Sequence, residues 1–241
     1  RWFLQHEVHA DVSRSAALSF GSIIHELADA VARNDIPADE AILIGYVDRV
    51  WGELGYEAAW YSQAERSAAV DALRRFLSWH SGRPDRQLIG SEIGFDFTIP
   101  LGENGIHLRG SFDRVEVDVN GAIHIVDLKT QRAAESKEKI ATHQQLGLYQ
   151  LAVQQGVLDE LPEDVRRSAA LPPAGTPPTV GGAELVLLRL GNELPKVQAQ
   201  PPLNPDDPWV ERSLTSAEAL IRSEQFTAIT SSRCDTCSFR T

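Results

Sequence analysis

With 241 residues, 42% of them hydrophobic and 24% charged, the chain has room for one generous domain and the composition of an ordinary globular protein. Its 34 acidic and 23 basic residues give a net charge of -11, which excludes attraction of nucleic acid by the whole surface and leaves a local basic groove, or an acidic site bridged to phosphate by metal ions. No run approaches the roughly 18 consecutive apolar residues of a membrane span. Arg1 to Glu7 lacks the apolar core of a secretory leader, so a cytoplasmic location without a membrane partner is expected. The absence of methionine, even at position 1, predicts a piece of a longer polypeptide.

Leu18, Ile24, Leu27, Ala28 and Val31 recur at a helical period and predict a helix over 15–33. Ala38–Leu54 and Ala58–Ser81 read as two more amphipathic helices, the second with Trp60, Leu73, Phe76 and Leu77 inward, and Gly82-Arg83-Pro84 ends the run. The period then changes to two. Strands are expected over Leu88–Ile99, Ile106–Val119 and Ala122–Thr130, followed by a helix over 137–155 that stops near Gly156. Leu161–Gly182 is rich in proline, glycine and alanine and reads as a mobile loop. Ala183–Leu190 is almost wholly apolar, as in a strand covered on both faces, and a last helix over 207–226 leads to Cys234 and Cys237. The pattern is that of a single α/β domain over 1–241, with a helical part at 1–82, a hairpin and helix at 87–156, a flexible loop at 160–182, and a last strand, helix and cysteine tail at 183–241.

Chemistry concentrates in the hairpin around Asn120-Gly121. A three-residue loop, Val119 to Gly121 with Gly121 left-handed, pairs Val117 with Ile123 and Val115 with Ile125, which keeps one face apolar. The same register sets Asp113 opposite Asp127, with Lys129 two residues further on that face. Facing carboxylates at the end of an apolar stripe need a divalent cation between them or a proton on one. The plainer alternative is two exposed strand ends with Lys129 neutralising one of them. Taken alone, His25 fits a surface or core-edge histidine, Gln145 and Tyr149 fit helix-face packing, and Arg114 either touches a ligand or pairs with Glu116. Cys234-x-x-Cys237 is half of a metal site, a redox pair or a coincidence.

Gly110-Ser111-Phe112-Asp113-Arg114, the hairpin, and Ile125-Val126-Asp127-Leu128-Lys129-Thr130 resemble the core of the PD-(D/E)XK nucleases, and within them the RecB-type branch found in bacterial helicase–nuclease machines of double-strand break repair. Gly21 to Leu27, with His25, is similar to that branch's N-terminal helix, and Gln145 to Tyr149 to its Gln-x-x-x-Tyr helix.

The resemblance implies a restriction-endonuclease-like core, a central mixed β-sheet flanked by helices. It implies a deoxyribonuclease dependent on Mg²⁺ or Mn²⁺, with Asp113, Asp127 and Lys129 catalytic and His25, Asp113, Asp127 and the Leu128 backbone carbonyl as metal ligands. Gln145, Tyr149 and Arg114 would contact DNA, helped by Arg109, Arg132, Lys137 and Lys139. A helicase domain in the same chain and a partner helicase–nuclease subunit follow, for DNA end resection. The rival expectations are a stand-alone RecB-like exonuclease and a catalytically inactive DNA-binding scaffold. The resemblance also makes Cys234 and Cys237 two ligands of a [4Fe–4S] cluster, incomplete within these residues.

Overall fold

The computed structural model describes residues 16–51, 59–102 and 105–224. Among the described residues three helices come first: α1 (Ala16–Ala32), α2 (Glu40–Trp51) and α3 (Ala59–Ser81). Strands β1 (Arg86–Ile99), β2 (Ile106–Asp118) and β3 (Ile123–Lys129) follow. Two short helices, α4 (Lys137–Ala141) and α5 (Gln144–Gln154), a 3-10 turn (Val157–Glu160) and α6 (Glu163–Ser168) precede β4 (Val180–Gly191) and β5 (Pro195–Gln200), and α7 (Trp209–Ser223) closes the described chain. The strands form one mixed sheet in the order β1-β2-β3-β4-β5, antiparallel except for the parallel pair β3 and β4.

Each face of the sheet carries a core. Ile123, Ile125, Leu185 and Leu187 point to the side covered by Leu146, Tyr149, Ala152 and Val153 of α5. Val126, Leu128, Val186 and Leu188, one residue out of phase, point to the side covered by α1, α2 and α3. This two-sided burial is why β3 and β4 read as nearly unbroken apolar runs. On α1, Phe20, Ile24, Leu27, Ala28 and Val31 are buried at the spacing of one helical stripe. Trp60, expected inward, is instead 75% exposed; it lies in the first turn of α3, short of the stripe from Ala69 to Trp79 that meets the core.

The hairpin forms as the pairing argument requires, with Val117 opposite Ile123 and Val115 opposite Ile125. Gly121 takes φ 79°, a conformation that costs glycine nothing. Asp118 organises the turn: its Oδ1 accepts from the Asn120 and Ala122 N–H groups, and its Oδ2 lies 3.0 Å from His124 Nε2.

Three stretches differ from expectation. The helix over 137–155 is two helices, because His143 has extended backbone and its Nδ1 accepts the Leu146 N–H, starting a new helix at its N-cap. The Leu161–Gly182 stretch, read as a mobile loop, contains α6 and is pinned by buried Arg166. The guanidinium of Arg166 donates to the Asp159 carbonyl and carboxylate and to the Pro172 carbonyl. Finally, β5 was not foreseen: PKVQAQ carries proline and lysine, as a polar edge strand does.

Candidate metal centre

The β2–β3 ladder runs from Val117/Ile123 to Arg114/Val126 and ends one rung short of the expected Asp113–Asp127 pair. Phe112 and Val115 enter the same core, so strict alternation along β2 breaks between them, at the position of Asp113. The Asp113 carboxylate fills the gap where the strands part, and its Oδ2 accepts the Leu128 N–H at 2.7 Å. Leu128 thus joins the site through its amide. The same Oδ2 lies 3.5 Å from His25 Nδ1 on α1.

A third acid comes from β1. Glu92 lies between Ser91, paired with Arg114, and Ile93, paired with Phe112, and so is level with Asp113. Its backbone takes φ 48°, rare for a residue with a Cβ and a mark of local strain. His25, Glu92 and Asp113 each present a ligand atom within 4.8 Å of the other two. Glu92 was absent from the sequence-based site. Its signal is a carboxylate between Gly90-Ser91 and Ile93-Gly94, in a strand whose regular pairing is interrupted by a bulge between Leu88 and Gly90.

Asp127 is 1% exposed. Its Oδ1 accepts from Gln145 Nε2 at 2.9 Å, and its Oδ2 is 2.8 Å from Lys129 Nζ. That ion pair lacks the alignment of a hydrogen bond, leaving Oδ2 a buried oxygen without an aligned donor. Burial pushes the Asp127 carboxyl up to about 6, with the Lys129 charge opposing and the Asp113 charge adding to the rise. Burial raises Glu92 as well, assisted by Asp113. For His25, burial alone would lower the pKa, but the hydrogen bond to Asp113 and the charges of Asp113 and Asp127 more than offset it. Three carboxylates there share one ammonium and one imidazole.

These donors fit a hard divalent cation. Two carboxylates and an imidazole converge, and a third carboxylate, ion-paired with Lys129, lies beside them. His25, Glu92 and Asp113 would hold the ion, with Asp127 alongside.

On α5, one turn separates Gln145 from Tyr149, and Gln145 Nε2 also donates to the Tyr149 hydroxyl at 2.8 Å. Tyr149 packs edge-on against Phe112 and Phe95, and burial pushes its hydroxyl up to about 12, so it stays protonated. Arg114, expected to contact DNA, is corrected: it is 5% exposed, donates to Glu116 Oε1 at 2.6 Å and lies 3.0 Å from His80 Nδ1. It belongs to a buried network on the α3 face in which Arg83 bridges Glu116 and Glu184. Of the other basic candidates, Arg132 pairs with Glu65 and Lys139 with Glu135. Cys234 and Cys237 lie outside the described residues. No described helix is long and apolar enough to cross a membrane.

The sequence model of the PD-(D/E)XK nuclease superfamily matches residues 1–241. No curated protein sequence matches the chain. Among solved structures, one titled "Crystal structure of SSO0001" is similar over 97% of this chain and 88% of that chain, at 12% identity and a TM-score of 0.39.

Proposed function

Because the chain belongs to the PD-(D/E)XK nuclease superfamily, we propose that it is a divalent-metal-dependent deoxyribonuclease with its centre at His25, Glu92, Asp113, Asp127 and Lys129. The observation that carries this reading is the convergence of His25, Glu92 and Asp113, with the buried Asp127 and its Lys129 partner alongside. A Mg²⁺ or Mn²⁺ ion bound there supplies Lewis-acid polarisation of a phosphodiester and a lowered pKa for a water molecule.

The chain's own residues do the remainder. Lys129, tethered to Asp127, presents an ammonium to the charge that builds on phosphorus-bound oxygens as the bond breaks. Gln145 fixes the Asp127 carboxylate with one amide hydrogen and Tyr149 with the other, holding the acid in one orientation. Asp113, braced by the Leu128 N–H, keeps the ends of β2 and β3 open at the site, and the Leu128 carbonyl is kept as a further candidate ligand. The DNA contacts fall mainly on phosphate and sugar, which gives little sequence preference.

The biological setting follows from the resemblance of the hairpin, the His25 helix and the Gln145–Tyr149 helix to the RecB-type branch: DNA end resection in double-strand break repair, by a nuclease joined to a helicase motor and working with a partner subunit in the cytoplasm. Cys234 and Cys237 stand in this reading as two thiolates of a [4Fe–4S] cluster. The test of the activity is incubation of the purified chain with linear DNA in Mg²⁺, in Mn²⁺ and in EDTA, beside Asp127→Ala. Cleavage with either metal that is lost in EDTA and in the variant supports the reading; metal-independent cleavage, or an undiminished variant, overturns it.

A further inference from the structure

We propose that a groove beside the metal centre, between the β1–β2 hairpin and helices α5 and α7, receives the base of an unpaired nucleotide flanking the scissile phosphate, so that the site selects single-stranded DNA or frayed ends. This rests on the nuclease reading above and adds a subsite to it.

The groove measures 340 Å³, room for a base with its sugar. Phe95, Leu148 and Leu214 give it apolar surface, and Gln144, Gln145 and Tyr149 give it polar edges. That mixture suits a nucleobase, whose flat faces favour apolar and aromatic contact and whose rim carries donors and acceptors.

Gln145 ties the groove to the chemistry. Its amide hydrogens reach Asp127 Oδ1 at 2.9 Å and the Tyr149 hydroxyl at 2.8 Å, so one side chain walls both the groove and the acid cluster. Its Oε1 remains to accept from a base edge. The helices meet closely here: a Cβ on Gly147 would come within 2.5 Å of the Trp209 ring, which fixes α7, and with it Leu214, against α5.

Charge favours a nucleotide over an apolar peptide as occupant. Arg109 also lines the groove and is 83% exposed, with its acidic neighbour Asp96 at 3.8 Å in an exposed pair of little worth. Its guanidinium is available to the phosphate that a bound base brings with it. A base stacked and paired in a duplex cannot enter such a groove without first leaving the helix, and this is the origin of the selection.

The experiment walks a single abasic site along a single-stranded oligonucleotide and maps the cuts made by the chain in Mg²⁺. One bond at a fixed offset from the abasic position should be cut about 5- to 150-fold more slowly than the same bond in the intact strand, the factor that one base stacking on protein typically carries. Leu214→Glu, at a half-buried position, should slow every bond and erase that dip. Arg109→Ala, at the surface, should weaken binding of the intact strand in EDTA, read by fluorescence anisotropy, and reduce its salt slope by about one. Cutting that ignores the abasic site, or a dip that survives in a folded Leu214→Glu protein, overturns the groove proposal and leaves the nuclease reading standing. A wild-type chain that neither binds nor cuts any DNA overturns the nuclease reading and the groove with it.

Discussion

Lys129 and Arg114 are both basic residues of the hairpin strands, and they sit in opposite surroundings. Lys129 keeps one end in the site, 2.8 Å from Asp127. On the proposed role, in which Lys129 meets the charge that develops on the phosphate, Lys129→Ala should leave DNA binding within a few-fold and lower kcat by about 10²–10³, with KM little changed. Loss of binding together with kcat would make it a structural residue. Arg114 compensates Glu116 in the interior. Arg114→Ala should therefore destabilise the fold by about 3 kcal/mol, since removing one partner leaves a buried charge that Arg83 only partly satisfies. Urea unfolding measures the cost, and DNA affinity per folded molecule should not change. Glu65 gives a pH test. The Arg189 hydrogen bond chiefly holds its carboxyl below the usual 4.5, against the opposing effect of burial. A depressed folded pKa stabilises fully above the unfolded value and is lost as pH falls through the folded one. The stability gap between wild type and Glu65→Gln should thus be wide near about pH 6 and narrow towards about pH 3; a gap that widens on acidification would contradict the assignment.

At the scale of elements, the hairpin depends on Asp118, whose carboxylate accepts two turn N–H groups and meets His124. Asp118→Ala should cost about 1–2 kcal/mol in thermal unfolding, as loss of a capping oxygen does, while leaving the chemistry of the site unaltered. The hairpin register was legible in the sequence because only one pairing keeps Val115, Val117, Ile123 and Ile125 on one face, and that pairing is the one observed. The continuation to Asp113 was not legible. The bend that sends Phe112 into the core beside Tyr149 arises from packing between elements far apart in sequence, and no local pattern encodes it. For the same reason the part of Glu92, contributed by a neighbouring strand at positive φ, has no local signature in the sequence. The burial of Arg114 was within reach: alternation that turns Val115 to the α5 core turns Arg114 to the other side, where α3 supplies Trp79 and His80. The polar edge strand β5 and the pinned helix α6 were lost to composition, since proline and alanine mark loops only on average.

For the whole molecule, a sheet covered on both faces gathers one cluster from three separate regions: His25 from the helical layer, Glu92 and Asp113 from the antiparallel strands, and Asp127 from the strand that begins the parallel pair. With a net charge of -11, DNA binding of the kind proposed would rest on local groups and not on the surface at large, so it should depend on salt through only a few phosphate contacts. The central claim is that His25, Glu92 and Asp113 hold a divalent ion. Calorimetric titration of Mn²⁺ into the metal-free protein measures this directly, with Asp113→Asn as the comparison, since asparagine keeps the shape and removes the charge. Saturable binding is expected in the wild-type chain, lost or weakened at least about 10-fold in Asp113→Asn, the scale on which a lost ligand acts. No saturable binding in the wild type, or equal binding in both proteins, would contradict it.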